Sequence, residues 1–208
     1  MDNNTEKEIR SEETTEETTP EKKSGNILGE IYELCEMLGV VTICVMLIFA
    51  FFVRLNVVDG HSMDKTLAHG QYLVVSDFLY DPTPGDIVVV HDITATPYDK
   101  PIVKRVIATE GQVVDIDFST WTLTVDGEVV EESYRWLDPA RMPLTAEYSF
   151  PITVPEGEIF VLGDNRHNSA DSRQSEIGTI DERCVVGKAY MRVFPFGEFE
   201  VFKNPYSK

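Results

Sequence analysis

Residues 37–53 read MLGVVTICVMLIFAFFV, a run with no charge and with Thr42 as its one polar interruption. Extended through 55–58, it can cross roughly 30 Å of hydrocarbon at about 1.5 Å per helical residue. A core helix of a soluble domain is rarely so uniformly apolar. A cleavable leader opens with a short basic region, whereas here some 26 residues, acidic and polar, come first. No small-x-small cleavage pattern follows Phe52 either. The run therefore predicts a single uncleaved transmembrane helix. Upstream, Ile27, Leu28, Ile31 and Leu34 alternate with Glu30, Glu33 and Glu36 at helical spacing, an amphipathic lead-in to the span. Residues 27–58 thus form a membrane-anchoring segment, with the lipid bilayer as a partner. Arg54 can snorkel at one end and Lys22 and Lys23 precede the other, so charge alone leaves the orientation open.

The flanks of that segment differ in kind. Residues 1–26 carry almost no large apolar side chain, so they bury too little surface to offset their conformational entropy and read as a disordered acidic tail. Across all 208 residues, 18 Lys+Arg face 36 Asp+Glu, a net charge of -18 that repels phosphate backbones and argues against a nucleic-acid partner. The three cysteines (Cys35, Cys44, Cys184) form neither a CxxC pair nor a disulfide framework and read as small buried hydrophobes. The four histidines (61, 69, 91 and 167) lack ligand spacing, so no metal site is expected.

From residue 55 to 208 the pattern changes to short β-rich runs. Those at 71–76 (QYLVVS), 86–91, 102–108 (IVKRVIA), 112–117, 158–162, 185–193 and 198–202 have strand length and composition. TWTLTV, Asp126-Gly127 and EVV make a hairpin signal. No amphipathic helix of ordinary length follows the span. The expected fold class is mostly β: an antiparallel, barrel-like domain behind one N-terminal transmembrane helix.

Three stretches can carry chemistry. In VVDGHSMDKTL, Ser62 follows a glycine-permitted bend at the end of an extended run. Such a bend lets the hydroxyl project and lets backbone N–H groups converge on a developing oxyanion. Taken alone, Asp-Gly-X-Ser is most often only a turn. In PIVKRVI, alternation puts Lys104 on the face of Ile102 and Val106. Burial there would lower its pKa toward neutrality and make the amine a general base. Periodicity does not decide whether Lys104 or Arg105 faces inward. In VLGDNRHNSADSR a short apolar strand enters a polar loop, where Asp171 and Arg173 can pair and Ser169 can orient the lysine amine.

Together VVDGHSM, GDIVVV, VKRVI and GDNRHNSADSR, in that order behind a membrane span, resemble the bacterial type I signal peptidases, particularly those of Gram-positive type. The resemblance implies a serine endopeptidase with Ser62 as nucleophile and Lys104 as general base. It implies that Ser169 positions the lysine, that Asp164 is a structural acid, and that Asp171 and Arg173 form a structural salt bridge. Gly60 and Met63 fall at oxyanion or substrate-binding positions. The implied partners are exported preproteins with small residues at −3 and −1, cleaved through an acyl-enzyme without cofactor. The catalytic domain would lie outside the cytoplasm, with the N-terminus inside. Three departures stand out: Lys65 replaces the usual proline, residues 108–112 (ATEGQ) replace a Gly-Leu-Pro-Gly-Asp type of turn, and Gly60 replaces a serine found in some members. Two other readings compete, a self-cleaving serine–lysine regulator and a membrane-tethered scaffold with a vestigial dyad.

Overall fold

The computed structural model describes residues 27–91, 100–138, 146, 147 and 149–206, so the acidic tail lies outside the described residues. Helix α1 runs unbroken over Ile27–Phe52, so the amphipathic lead-in and the apolar run are one helix. It stops sooner than the apolar pattern suggests. Arg54–Val57, which the sequence allows as the end of the span, is instead strand β1, with Leu55 opposite Val74. Within Ile27–Ala50 the most apolar window has 0% of its residues buried. Cys35 and Cys44 are accordingly exposed on α1, against the expectation of burial, and Cys184 is half-buried.

The remainder is mostly antiparallel β, as the strand-length runs predict. After β1 come β2 (Tyr72–Ser76), β3 (Ile87–Val90), β4 (Ile102–Ala108), β5 (Val113–Asp117), β6 (Thr122–Val125) and β7 (Glu128–Val129). Then follow β8 (Ile152–Thr153), β9 (Glu158–Leu162), β10 (Ile180–Asp181), β11 (Val185–Phe194) and β12 (Glu200–Val201). The larger sheet is open and has the order β1-β2-β11-β3-β4-β9-β10, with β12 beside β11. A smaller sheet has the order β7-β6-β5-β8. Strands β8 and β10 are two residues each, too short to register as periodic runs. At the β6–β7 turn Asp126 has φ 53 and Gly127 φ 81, the left-handed pair that a two-residue hairpin requires.

Both faces of β4 are covered, and this decides the chemistry. Ile102 and Val106 pack with Val88, Val90, Ile159 and Val161 on one face. On the other, Val103 joins Met63, Leu67, Leu73 and Val89. A strand buried on both sides has no solvent face on which to place a charge, so Lys104 (3% exposed) and Arg105 (4%) are both interior. The alternative of an exposed strand lysine does not apply.

Candidate active site

The turn bearing Ser62 is built by its apolar neighbours. Met63 and Leu67 sit in the core, and the Leu67 N–H donates to the Met63 carbonyl at 2.7 Å. This anchors one face of a single helical turn and leaves Ser62 half-buried at its start. Gly60, just before it, has φ +105, a conformation that side-chain-bearing residues rarely adopt. Met63 is only 1% exposed, and its Sδ accepts from the Asp164 N–H at 3.5 Å. It therefore forms the floor beneath the turn.

Lys104 Nζ lies 2.8 Å from Ser62 Oγ and donates to the Val103 carbonyl at 3.1 Å. Desolvation disfavours the ammonium, and Arg173 adds to that, while the Asp171 and Asp164 carboxylates oppose it. Burial wins and holds the pKa down at about 8. A minor fraction of the amine, on the order of a tenth at pH 7, is therefore neutral and able to take the hydroxyl proton. This is the geometry of a nucleophile and its base.

The loop after β9 carries the support. Arg105 grips Asp164 through Nε and Nη2 at 2.9 and 2.7 Å. Asp164 also accepts from Thr66 Oγ1 at 2.6 Å, which ties the ion pair to the Ser62 turn. Asn165 ties to the same turn through backbone and side chain: its N–H donates to the Ser62 carbonyl and its Nδ2 to that of His61, both at 2.9 Å. Asp171 and Arg173 form the expected buried pair, Nε to Oδ1 at 2.7 Å and Nη2 to Oδ2 at 2.8 Å. Burial alone would raise the Asp171 carboxyl, but the Arg173 charge and hydrogen bonds outweigh it and leave the pKa below the usual range. Asp171 in turn accepts from the Gly163 N–H at 3.0 Å, fixing the end of β9.

Ser169 lines the same open cleft of about 420 Å³ as Ser62, Lys104, Ile102 and Ala170. Among the described residues its buried hydroxyl has no partner in hydrogen-bond geometry, Lys104 included. It is near enough to Asp171 to help lower that carboxyl. Among the described residues no group of three or more His, Cys, Asp or Glu is arranged to hold a metal ion.

Several contributors escape sequence reasoning. Arg166, 1% exposed, pairs with Glu132 and donates to the Gly163 carbonyl at 2.9 Å. No spacing rule links residues 132 and 166. Tyr134 stacks on Arg105, the guanidinium carbon 3.9 Å from the ring centroid. Lys65 adopts φ 77 and places its ammonium 5.1 Å from the Trp136 ring centroid.

The signal peptidase, peptidase S26 family matches residues 31–194, most of the chain. The chain belongs to this family. Signal peptidase I of Bacillus licheniformis is 33% identical over 186 residues, 86% of this chain and 96% of the relative. Signal peptidase I T of Bacillus subtilis (strain 168) is 32% identical, over 91% of this chain and 97% of the relative. A solved signal peptidase I from Enterococcus faecalis V583 is 29% identical and covers 52% of this chain and 97% of its own, at a TM-score of 0.42. As a signal peptidase I type hydrolase, the protein is a serine endopeptidase, and its described residues include one apolar N-terminal helix.

Proposed function

We propose that this peptidase removes N-terminal signal peptides from exported preproteins by a serine–lysine dyad, with Ser62 as nucleophile and Lys104 as general base. The observation that carries the proposal is the buried Lys104 amine, 2.8 Å from the Ser62 hydroxyl. Ser62 Oγ attacks the scissile carbonyl while Nζ takes its proton. The resulting ammonium then protonates the leaving amine. Water, deprotonated by the same nitrogen, hydrolyses the acyl-enzyme. The backbone N–H of Ser62 receives the oxyanion. Asp164, Asp171 and Arg173 hold the loop that frames the dyad, and Ser169 shapes the wall beside the amine.

Helix α1 anchors the enzyme in the cell membrane as a single pass, with the N-terminus cytoplasmic and residues 55–208 on the extracytoplasmic side. Its 26 residues extend about 39 Å at 1.5 Å each, enough for a hydrocarbon core of about 30 Å. Anchoring concentrates active sites where tethered precursors present their cleavage sites. Substrate adds as an extended strand, with small residues at −3 and −1 fitting the cleft.

The test is processing of a precursor with Ala at −3 and −1 by the full-length enzyme in detergent. Wild type is expected to release the mature protein, and Ser62→Ala and Lys104→Ala to leave it uncut. Equal processing by either variant would end the dyad assignment.

A further inference from the structure

A second hydrogen bond reaches the nucleophile's bend from outside the dyad. The Gly60 N–H donates to His69 Nδ1 at 3.1 Å. A backbone amide can only donate, so Nδ1 carries no proton and the imidazole is the neutral Nε2–H tautomer. Around it the chain is cross-linked: Val58 donates to the Gln71 carbonyl and Gly70 to the Val58 carbonyl, each at 2.9 Å. Asn165 holds the far side of the same bend through the His61 and Ser62 carbonyls. Gly60 lies between these anchors with φ +105, a conformation open to glycine, and His69 is what grips its amide.

We infer that His69 is a positioning residue whose unprotonated Nδ1 holds the Gly60 amide, and that protonation of the ring releases this hold and slackens the bend before Ser62. The inference deepens the dyad reading and rests on it. The groups facing His69 make the release directional. Asp59 Oδ1, on the bend itself, is 3.6 Å from Nδ1. Lys100, from the segment before β4, pairs with the other oxygen of Asp59 at 2.8 Å and holds that carboxyl below its ordinary pKa. The His61 ring lies 6.0 Å away between centroids. Once Nδ1 carries a proton, it opposes the Gly60 N–H and is attracted to the Asp59 carboxylate. Two arrangements compete for one nitrogen.

Two measurements test this. The first is kcat/KM between pH 5 and 9 for the full chain in detergent, using a peptide with Ala at −3 and −1. Wild type is expected to lose about tenfold per pH unit below the Lys104 titration, and a further threefold to tenfold once a proton on Nδ1 displaces the Gly60 amide. In His69→Asn, where the amide oxygen replaces Nδ1 as acceptor, most of the plateau should remain and the further step should vanish. His69→Ala should show a plateau lowered by about threefold to tenfold, again without the step. A merely structural histidine would lower the plateau without removing a step. The second measurement is the 15N shift pair of His69 at pH 8, recorded in Ser62→Ala, which reads the tautomer without requiring activity. A protonated Nδ1 there, or a further step that persists in His69→Asn, overturns the proposal. Cleavage by Ser62→Ala would instead refute the dyad while the 15N result still judged the His69 contact.

Discussion

The tightest steric constraint on the dyad comes from a residue with no side chain. A Cβ built on Gly163 would lie 2.2 Å from Ser169 Oγ, 2.6 Å from Ser169 Cβ and 2.5 Å from the Ser62 carbonyl oxygen, where real contacts stay beyond 3.0 Å. The serine hydroxyl could swing aside, but the Ser62 carbonyl cannot, because it accepts from the Asn165 N–H at 2.9 Å. Gly163→Ala must therefore push the Ser62 turn away from the end of β9 by about half an ångström, and Ser169 by somewhat more. Gly163 is not among the positive-φ glycines, so its backbone suits alanine and the effect is purely one of space. Overpacking of this kind costs about 1–3 kcal/mol of stability. A displaced nucleophile costs more in rate, on the order of 10²-fold for a shift approaching 1 Å. The assay compares kcat/KM on the Ala-Ala peptide with the denaturant midpoint of the same preparation. A rate loss well beyond the stability loss is expected. Activity within twofold of wild type would refute the claim that this contact sets the Ser62–Lys104 distance.

Other perturbations follow from the same geometry. Burying a charged lysine costs stability in full below about pH 8, and the cost fades between there and the ordinary lysine value near 10.4, where only the unfolded chain still binds the proton. Lys104→Met should thus abolish cleavage yet raise stability at pH 7 by about 3 kcal/mol, with the gain shrinking by pH 10 in parallel denaturation curves. Arg105→Ala strands Asp164, whose side chain is 0% exposed, and should cost about 3–5 kcal/mol by the same denaturation assay. Lys65→Pro needs φ near −65° where this chain has 77°, so it should lower both the denaturant midpoint and kcat/KM.

The sequence exposed residue types and faces, but not what lies opposite them. Alternation puts Lys104 on the side of Ile102, with which it lines the cleft, because the two-residue period of a strand is local. Whether that face is dry depends on β3 and β9 flanking β4 and on clusters covering it from both sides, which no window of one strand reports. The same limit explains Arg105. Its partner Asp164 is 59 residues away, delivered because the β4–β9 register sets Arg105 opposite Leu162, so the residues after Leu162 fall beside the guanidinium. It also explains β1. The residues Arg54–Val57 directly follow an apolar run, and only pairing with β2 makes them a strand rather than one more helical turn. A motif such as GDNR thus names its members without their counterparts. Asp164 answers Arg105, Asn165 answers the carbonyls of His61 and Ser62, and Arg166 answers Glu132, so three consecutive side chains brace three different segments. That divergence implies that substitutions within this stretch should fail by separate routes, and that none should be rescued by restoring another.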